Sequence, residues 1–319
     1  MQYPFAALRN TLTTVQTNNY LAAPKFTSFG RRSLGVGDLI PVFLPCQPHQ
    51  RVNLSTLSPF NPINFPSSTC QPYHLYQLFP DQLVNSSTSN PLSLPMLQSS
   101  TLKFLKDLSK NNNKPWFDAH RKQYDEAKKD FETFIQAIID KHGLKDETIR
   151  EQEAKKCMFR INRDVRFSKD KSPYKNNMGA SINRGGRKSI FAGYYFHLEP
   201  GQSFVGGGIW MPMPPEMKKV RQEIDYCFDE FKKIVQTKKF TTVYGDLYKE
   251  EGIGLSRVPQ GFEKDNPAAE YLKLKSWIAM QSVKDSELTV KNLVKKTLVA
   301  FETLQPMIQF VNRALDTAE

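Results

Sequence analysis

The chain has 319 residues, a formal net charge of +12 and a pI near 9.4. It holds no run of about 18 apolar residues, and its four cysteines (Cys46, Cys70, Cys157, Cys227) lack close paired spacing. Those features leave no basis for a membrane-spanning helix, a disulfide framework or a cysteine zinc site. A soluble, cytoplasmic protein is expected, and the charge favours a polyanion, an anionic small molecule or a membrane surface as partner.

Residues 1–95 differ from the rest in composition. They carry five basic and two acidic residues and 12 of the 21 prolines, with no sustained helical or strand period. Three readings fit: a disordered tail, a transit peptide, or sequence upstream of a start at Met96. Residues 96–319 hold 39 basic and 30 acidic residues, so most of the charge excess lies there.

From Leu97 onward the elements become periodic. Ser99 or Ser100 could cap a short helix with Leu102, Leu105 and Leu108 on one face. Asn111 to Pro115 ends it, and Trp116-Phe117 opens a second helix through Tyr124, Ala127, Phe131, Phe134 and Ile138, with Gly143 as C-cap. Strands are expected at Lys156 to Ile161, Met178 to Ile182, Ser189 to Leu198 and Phe204 to Trp210, joined as an antiparallel meander. A helix follows Pro212, Pro214 and Pro215, burying Met217, Val220, Ile224, Phe228, Phe231 and Val235. Another starts at Asn266-Pro267 and runs through Tyr271 and Trp277. A long C-terminal helix from Leu288 to beyond Leu304 should kink near Pro306. The expected fold class is α+β, one domain with a small antiparallel sheet packed by several helices.

The densest chemistry lies between Cys157 and Asn177. Arg160, Arg163, Arg166, Lys169, Lys171 and Lys175 stand there against only Asp164 and Asp170, with Phe159, Ile161, Val165 and Phe167 between them. Neither a strand nor a helix places these cations on one face, so a strand running into a structured loop is expected. Guanidinium forks suit phosphate or carboxylate, and the lysines add point charges. The alternative is that the arginines form ion pairs with Asp164, Asp170 and nearby acids.

Other motifs carry less. Gly206-Gly207-Gly208 lacks the Gly-Lys-Ser/Thr ending of a phosphate loop and fits close approach to a strand or ligand. Arg184 to Lys188 reads as a basic hairpin turn. His120, His142 and His197 form no metal pair, and Cys157 and Cys227 read as core thiols. No metal site and no cofactor are indicated.

Several of these segments resemble one family. Asn111-Asn112-Asn113-Lys114-Pro115-Trp116-Phe117 and Arg163-Asp164-Val165-Arg166-Phe167-Ser168-Lys169-Asp170-Lys171-Ser172-Pro173-Tyr174-Lys175 are similar to its hallmark blocks. Tyr194-Tyr195, Val205 to Gly208 and Leu255 to Gly261 look like later ones. The family is the domain-of-unknown-function family numbered 2461, mostly bacterial conserved hypothetical proteins. The similarity runs from about Leu97 to Leu315. It implies a single domain beginning near Met96, and no activity, cofactor or catalytic residue comes with it.

The function expected from the residues is binding of a phosphate-bearing anion by Arg163, Arg166, Lys169, Lys171 and Lys175. Tyr174 and Trp116 would wall the pocket, and Asp164 would orient an arginine or act as a base. The alternatives are a nucleic-acid binder using the basic loop and the Arg184 to Lys188 turn, or an interaction protein whose arginines are internally paired.

Overall fold

The computed structural model describes residues 95–166, 168–249 and 254–316, all within one unit of the chain. The readings of the N-terminal stretch therefore fall, Pro95 apart, outside the described residues. The fold is α+β, with ten helices and a four-stranded antiparallel sheet among the described residues.

Helix α1 (Ser99–Lys110) buries Leu102, Leu105 and Leu108 as their spacing predicts. Its cap position is Gln98 rather than a serine, with no capping bond from the Gln98 side chain. Instead Asp130 reaches across to accept from the Gln98 backbone N–H at 2.9 Å and the Thr101 hydroxyl at 2.6 Å. The expected second helix is two. Helix α2 (Lys114–Ala119) starts on Asn113, whose side chain accepts from the Trp116 N–H at 3.0 Å. After His120, α3 (Arg121–His142) buries Phe131, Phe134, Ile135, Ile138 and Ile139 and ends on Gly143.

Lys156 to Ile161 is not a strand. The short helix α4 (Ala154–Cys157) occupies its start, and only single bridges follow, Met158 to Ala180 and Asn162 to Tyr174. The regular strands are β1 (Met178–Asn183), β2 (Gly193–Leu198), β3 (Ser203–Ile209) and β4 (Trp277–Val283), hydrogen-bonded in that order. Turns at Gly185-Gly186 and Gly201 adopt positive φ, which glycine tolerates at no steric cost. Strand β4 replaces the second half of the helix expected from Asn266. That helix stops as α8 (Ala269–Leu272), and Trp277-Ile278-Ala279-Met280 then alternates between the two sheet faces.

Between β3 and β4, the helix expected from Met217 to Val235 breaks at Cys227 into α5 (Pro214–Tyr226) and α6 (Phe228–Val235), followed by α7 (Lys238–Tyr244). After β4, α9 (Asp285–Leu288) takes up Leu288, and α10 (Leu293–Asp316) continues through Pro306.

One sheet face, with Ala180, Ile182, Tyr194, Phe196, Val205 and Ala279, belongs to the main core under α3 and α10. Leu304 of α10 sits so close to β3 that a Cβ at Gly207 would lie 2.8 Å from its Cδ2 and collide with the Gly193 carbonyl. The glycine run thus serves close approach between strands and helix. On the opposite face Tyr195 and Ile278 form a second cluster with Phe159, Phe204, Trp210 and Met280.

His142 ends α3 inside the main core, edge-on to Tyr194 with ring centroids 4.6 Å apart. Both its ring nitrogens are buried without a hydrogen-bond partner among the described residues. Burial holds the imidazole below its ordinary 6.5. Between the two values the unfolded chain binds a proton that the folded chain refuses, so stability rises with pH across that window. It is complete above about 6.5 and falls as the pH drops. Thermal melts at about pH 7.5 and about pH 5 should show this loss in the parent and a smaller one in His142→Phe.

Candidate functional site

The basic stretch folds back on itself. The Phe159 N–H donates to the Gly179 carbonyl at 2.9 Å, Lys175 to Ile161 at 2.8 Å, and Arg163 to Pro173 at 2.9 Å. Asn112 fastens the returning limb from outside: its amide donates to the Tyr174 carbonyl at 2.9 Å and its oxygen accepts from the Tyr174 N–H at 3.0 Å. The two most distinctive sequence blocks therefore touch each other. Tyr174 is buried, stacked on Phe117 at 4.0 Å between centroids. Trp116 stacks on His120 at 4.0 Å and lies 6.0 Å from Phe104, between α1 and α2.

At the tip of the loop the cations meet local acceptors. Arg166 is bidentate to Asp164 at 2.9 and 2.7 Å, and this pairing holds the Asp164 carboxyl well below its usual range. Arg163 pairs with Asp170, whose other oxygen accepts from the Ser172 N–H at 2.9 Å and its hydroxyl at 2.5 Å. Lys171 donates to the Val165 carbonyl at 3.0 Å, and Lys169 is exposed.

The base of the loop is different. Lys175 is half-buried with its Nζ 5.6 Å from the centre of the Phe159 ring, and Arg187 lies over the same ring at 5.6 Å. Burial first, then the charges of Arg160, Arg163 and Arg187, push the Lys175 amine down to about 8. Arg187 comes from the hairpin turn after β1 and is fixed by donating to the Met158 carbonyl. Beside this cluster is a cavity of about 260 Å³ lined by Lys128 of α3, Lys155 of α4, Arg160 and Arg187, with Phe159 and Tyr124 as apolar walls. No carboxylate lines it among the described residues. A wider depression of about 930 Å³ along α3 mixes Lys128 and Lys129 with Asp125, Glu132 and Asp140, so it carries no comparable excess.

Next to the cluster, on the second face of the sheet, lies a chain of polar groups. Tyr195, His197 and Glu199 alternate along β2 and just beyond it, and so project to the same side. The Tyr195 hydroxyl is 3.3 Å from His197 Nδ1, and His197 Nε2 is 2.9 Å from Glu199 Oε2. Asn176 donates to the other Glu199 oxygen at 2.8 Å. His197 is 3 % and Glu199 2 % exposed, and the Phe204 ring stacks on the imidazole at 4.7 Å. With Nε2–H donating to the carboxylate, Nδ1 is left as the acceptor for the tyrosine hydroxyl. The absent side chain at Gly179 makes room for that hydroxyl, since a Cβ there would collide with it. The Tyr195 ring lies 6.2 Å from Phe159, the residue shared with the cation cluster. The Tyr-x-His-x-Glu alternation is the signal that could have singled these residues out.

Elsewhere, Arg184 pairs with Asp316 and lies over Phe191 at 3.8 Å, which ties down the first residue of the basic turn. Burial pushes the Cys157 thiol up to about 11, as suits a core thiol rather than a nucleophile. Among the described residues no group of three or more His, Cys, Asp or Glu side chains is placed to hold a metal ion. Among them, too, no helix is long and apolar enough to cross a membrane.

No curated protein and no solved structure matches the chain. The family model described as conserved hypothetical protein (DUF2461) matches residues 100–310, which include the Asn112 clamp, the folded basic loop, the β2 polar chain and most of α10. The chain belongs to the DUF2461 family of conserved hypothetical proteins.

Proposed function

We propose that this protein binds a phosphate-bearing small molecule at the base of the basic loop, in the cavity beside Arg160, Lys175 and Arg187. The observation that carries the reading is the charge balance there. Lys128, Lys155, Arg160 and Arg187 line one cavity with no carboxylate among the described residues, and the charges of Arg160 and Arg187 act on the neighbouring Lys175 as well. Like charges held together in a partly buried place cost free energy that an anion would offset. By contrast, the tip residues Arg163 and Arg166 already have carboxylates, so they brace the loop. Trp116 and Tyr174 support it from the helical side.

A cavity of about 260 Å³ suits a phosphosugar or part of a nucleotide better than a duplex. The pairing of Arg184 with Asp316 also leaves less of an open basic face for nucleic acid. Thermal shift of the full chain with phosphosugars, nucleotides, polyphosphate and short nucleic acids tests the reading. A small phosphate compound should raise Tm in a concentration-dependent way. Its effect should weaken as pH rises through about 8, where Lys175 loses its charge. Stabilisation by nucleic acid alone, falling steeply with salt, would replace this reading with the nucleic-acid one.

A further inference from the structure

The polar chain on β2 has the arrangement of an activated nucleophile: a hydroxyl, an imidazole within hydrogen-bond reach, and a buried carboxylate that orients the imidazole. Asn176 holds the second carboxylate oxygen, so Glu199 is fixed at both ends. A buried polar network of this kind could serve folding alone, but its position argues for more. The hydroxyl and the edge of the Phe159 ring both border the open space at Gly179, and Lys175 and Arg187 lie over the Phe159 ring. A nucleophile–base–orienter chain thus ends one aromatic ring away from a cluster of cations, and cation clamps of that type stabilise a transferring phosphoryl group.

Resting on the anion site proposed above, we infer that the protein is a phosphomonoesterase in which Tyr195 is the nucleophile, His197 its base and Glu199 the positioning residue. In the first step Tyr195 Oη forms a bond to phosphorus while its proton passes to His197 Nδ1. The bond from phosphorus to the ester oxygen breaks, and that oxygen takes a proton from the Lys175 ammonium. In the second step water attacks the phosphotyrosine and gives its proton to the Lys175 amine. The phosphorus–tyrosine bond breaks, and Tyr195 recovers its proton from His197. The sum is ester plus water giving alcohol plus phosphate.

Two further observations fit these roles. Burial, and after it the Glu199 charge, hold the Tyr195 phenol well above its ordinary 10, so a base must take the proton as the new bond forms. The Lys175 amine, brought to about 8, is charged at neutral pH yet able to give its proton up. Phe159 both lines the cavity and packs on Tyr195, so its ring must turn aside for the ester to reach the hydroxyl.

The test uses the full chain with p-nitrophenyl phosphate as substrate probe and inorganic phosphate as binding probe. The parent should release p-nitrophenol, and acid-quenched enzyme should carry phosphate on the Tyr195 peptide. Tyr195→Phe, which removes one oxygen, should lose at least about 100-fold in turnover while keeping its thermal shift with phosphate. His197→Gln should do the same, and Glu199→Gln should lower kcat with KM unchanged. Turnover in Tyr195→Phe above a tenth of the parent's would overturn the nucleophile. So would a parent stabilised by phosphate that releases no p-nitrophenol, and the binding reading would then stand alone. A parent that phosphate does not stabilise overturns the anion site and the mechanism built on it.

Discussion

Replacing Arg187 by alanine should weaken binding of a small phosphate compound by on the order of 10- to 100-fold, the effect of losing a charge-assisted hydrogen bond. Arg160→Ala should weaken it in the same direction. Arg166→Ala should leave affinity within about twofold, because its guanidinium is already bidentate to Asp164 at the loop tip. Isothermal titration of the three variants against one phosphosugar separates a site at the base of the loop from one at its tip. Arg187 also donates to the Met158 carbonyl, so its variant must be compared with Arg187→Lys, which keeps a charge at the same place. If Arg166→Ala proved as damaging as Arg187→Ala, the site would belong at the tip.

The largest stability effect is expected at Trp277. The ring is fully buried, its Nε1–H donates to the Tyr271 carbonyl at 3.1 Å, and Arg221 lies over it at 5.9 Å. Trp277→Ala should cost about 3–5 kcal/mol through lost burial and the cavity left behind, measured by denaturant unfolding. Met280, three residues along the same strand, on the opposite sheet face and only half-buried, should tolerate alanine with a cost nearer about 1 kcal/mol. The contrast between the two positions follows from β4 being a strand whose residues alternate between sheet faces. On a helix, residues three apart share a side, and the contrast would be small.

How much of this fold is legible in the chain differs from element to element. β1, β2 and β3 announce themselves as short segments, β2 with the apolar run Tyr194-Tyr195-Phe196, set off by glycine-containing turns at Gly185-Gly186 and Gly201, which need positive φ. β4 does not, because Asn266-Pro267 is a plausible helix start and no glycine or proline separates Leu272 from Trp277. Its strand form depends on pairing with Ser203–Ile209, more than 60 residues earlier in the chain. The break at Cys227 between α5 and α6 is likewise unmarked by glycine or proline.

The site shows the same division between local and distant information. Both arginine–aspartate pairs of the loop lie within seven residues in sequence, so internal pairing is a reading the sequence supports by itself. The cavity is not: Lys128, Lys155 and Arg187 join Arg160 only because α3, α4 and the β1–β2 turn converge there. Tyr195, His197 and Glu199 sit between these cases. Their alternation puts them on one side of any strand, but Asn176 and the gap above Gly179 come from β1 and the segment before it.

The most direct measurement is the position of a heavy phosphate mimic. Crystals of the full chain soaked in tungstate should show anomalous density within hydrogen-bond distance of Arg160 and Arg187, in the cavity that both line beside Lys175. Density there, lost in Arg187→Ala crystals, is the result expected. Density instead at Arg166, Lys169 and Lys171 on the loop tip, or none anywhere on the basic segment, would contradict the account.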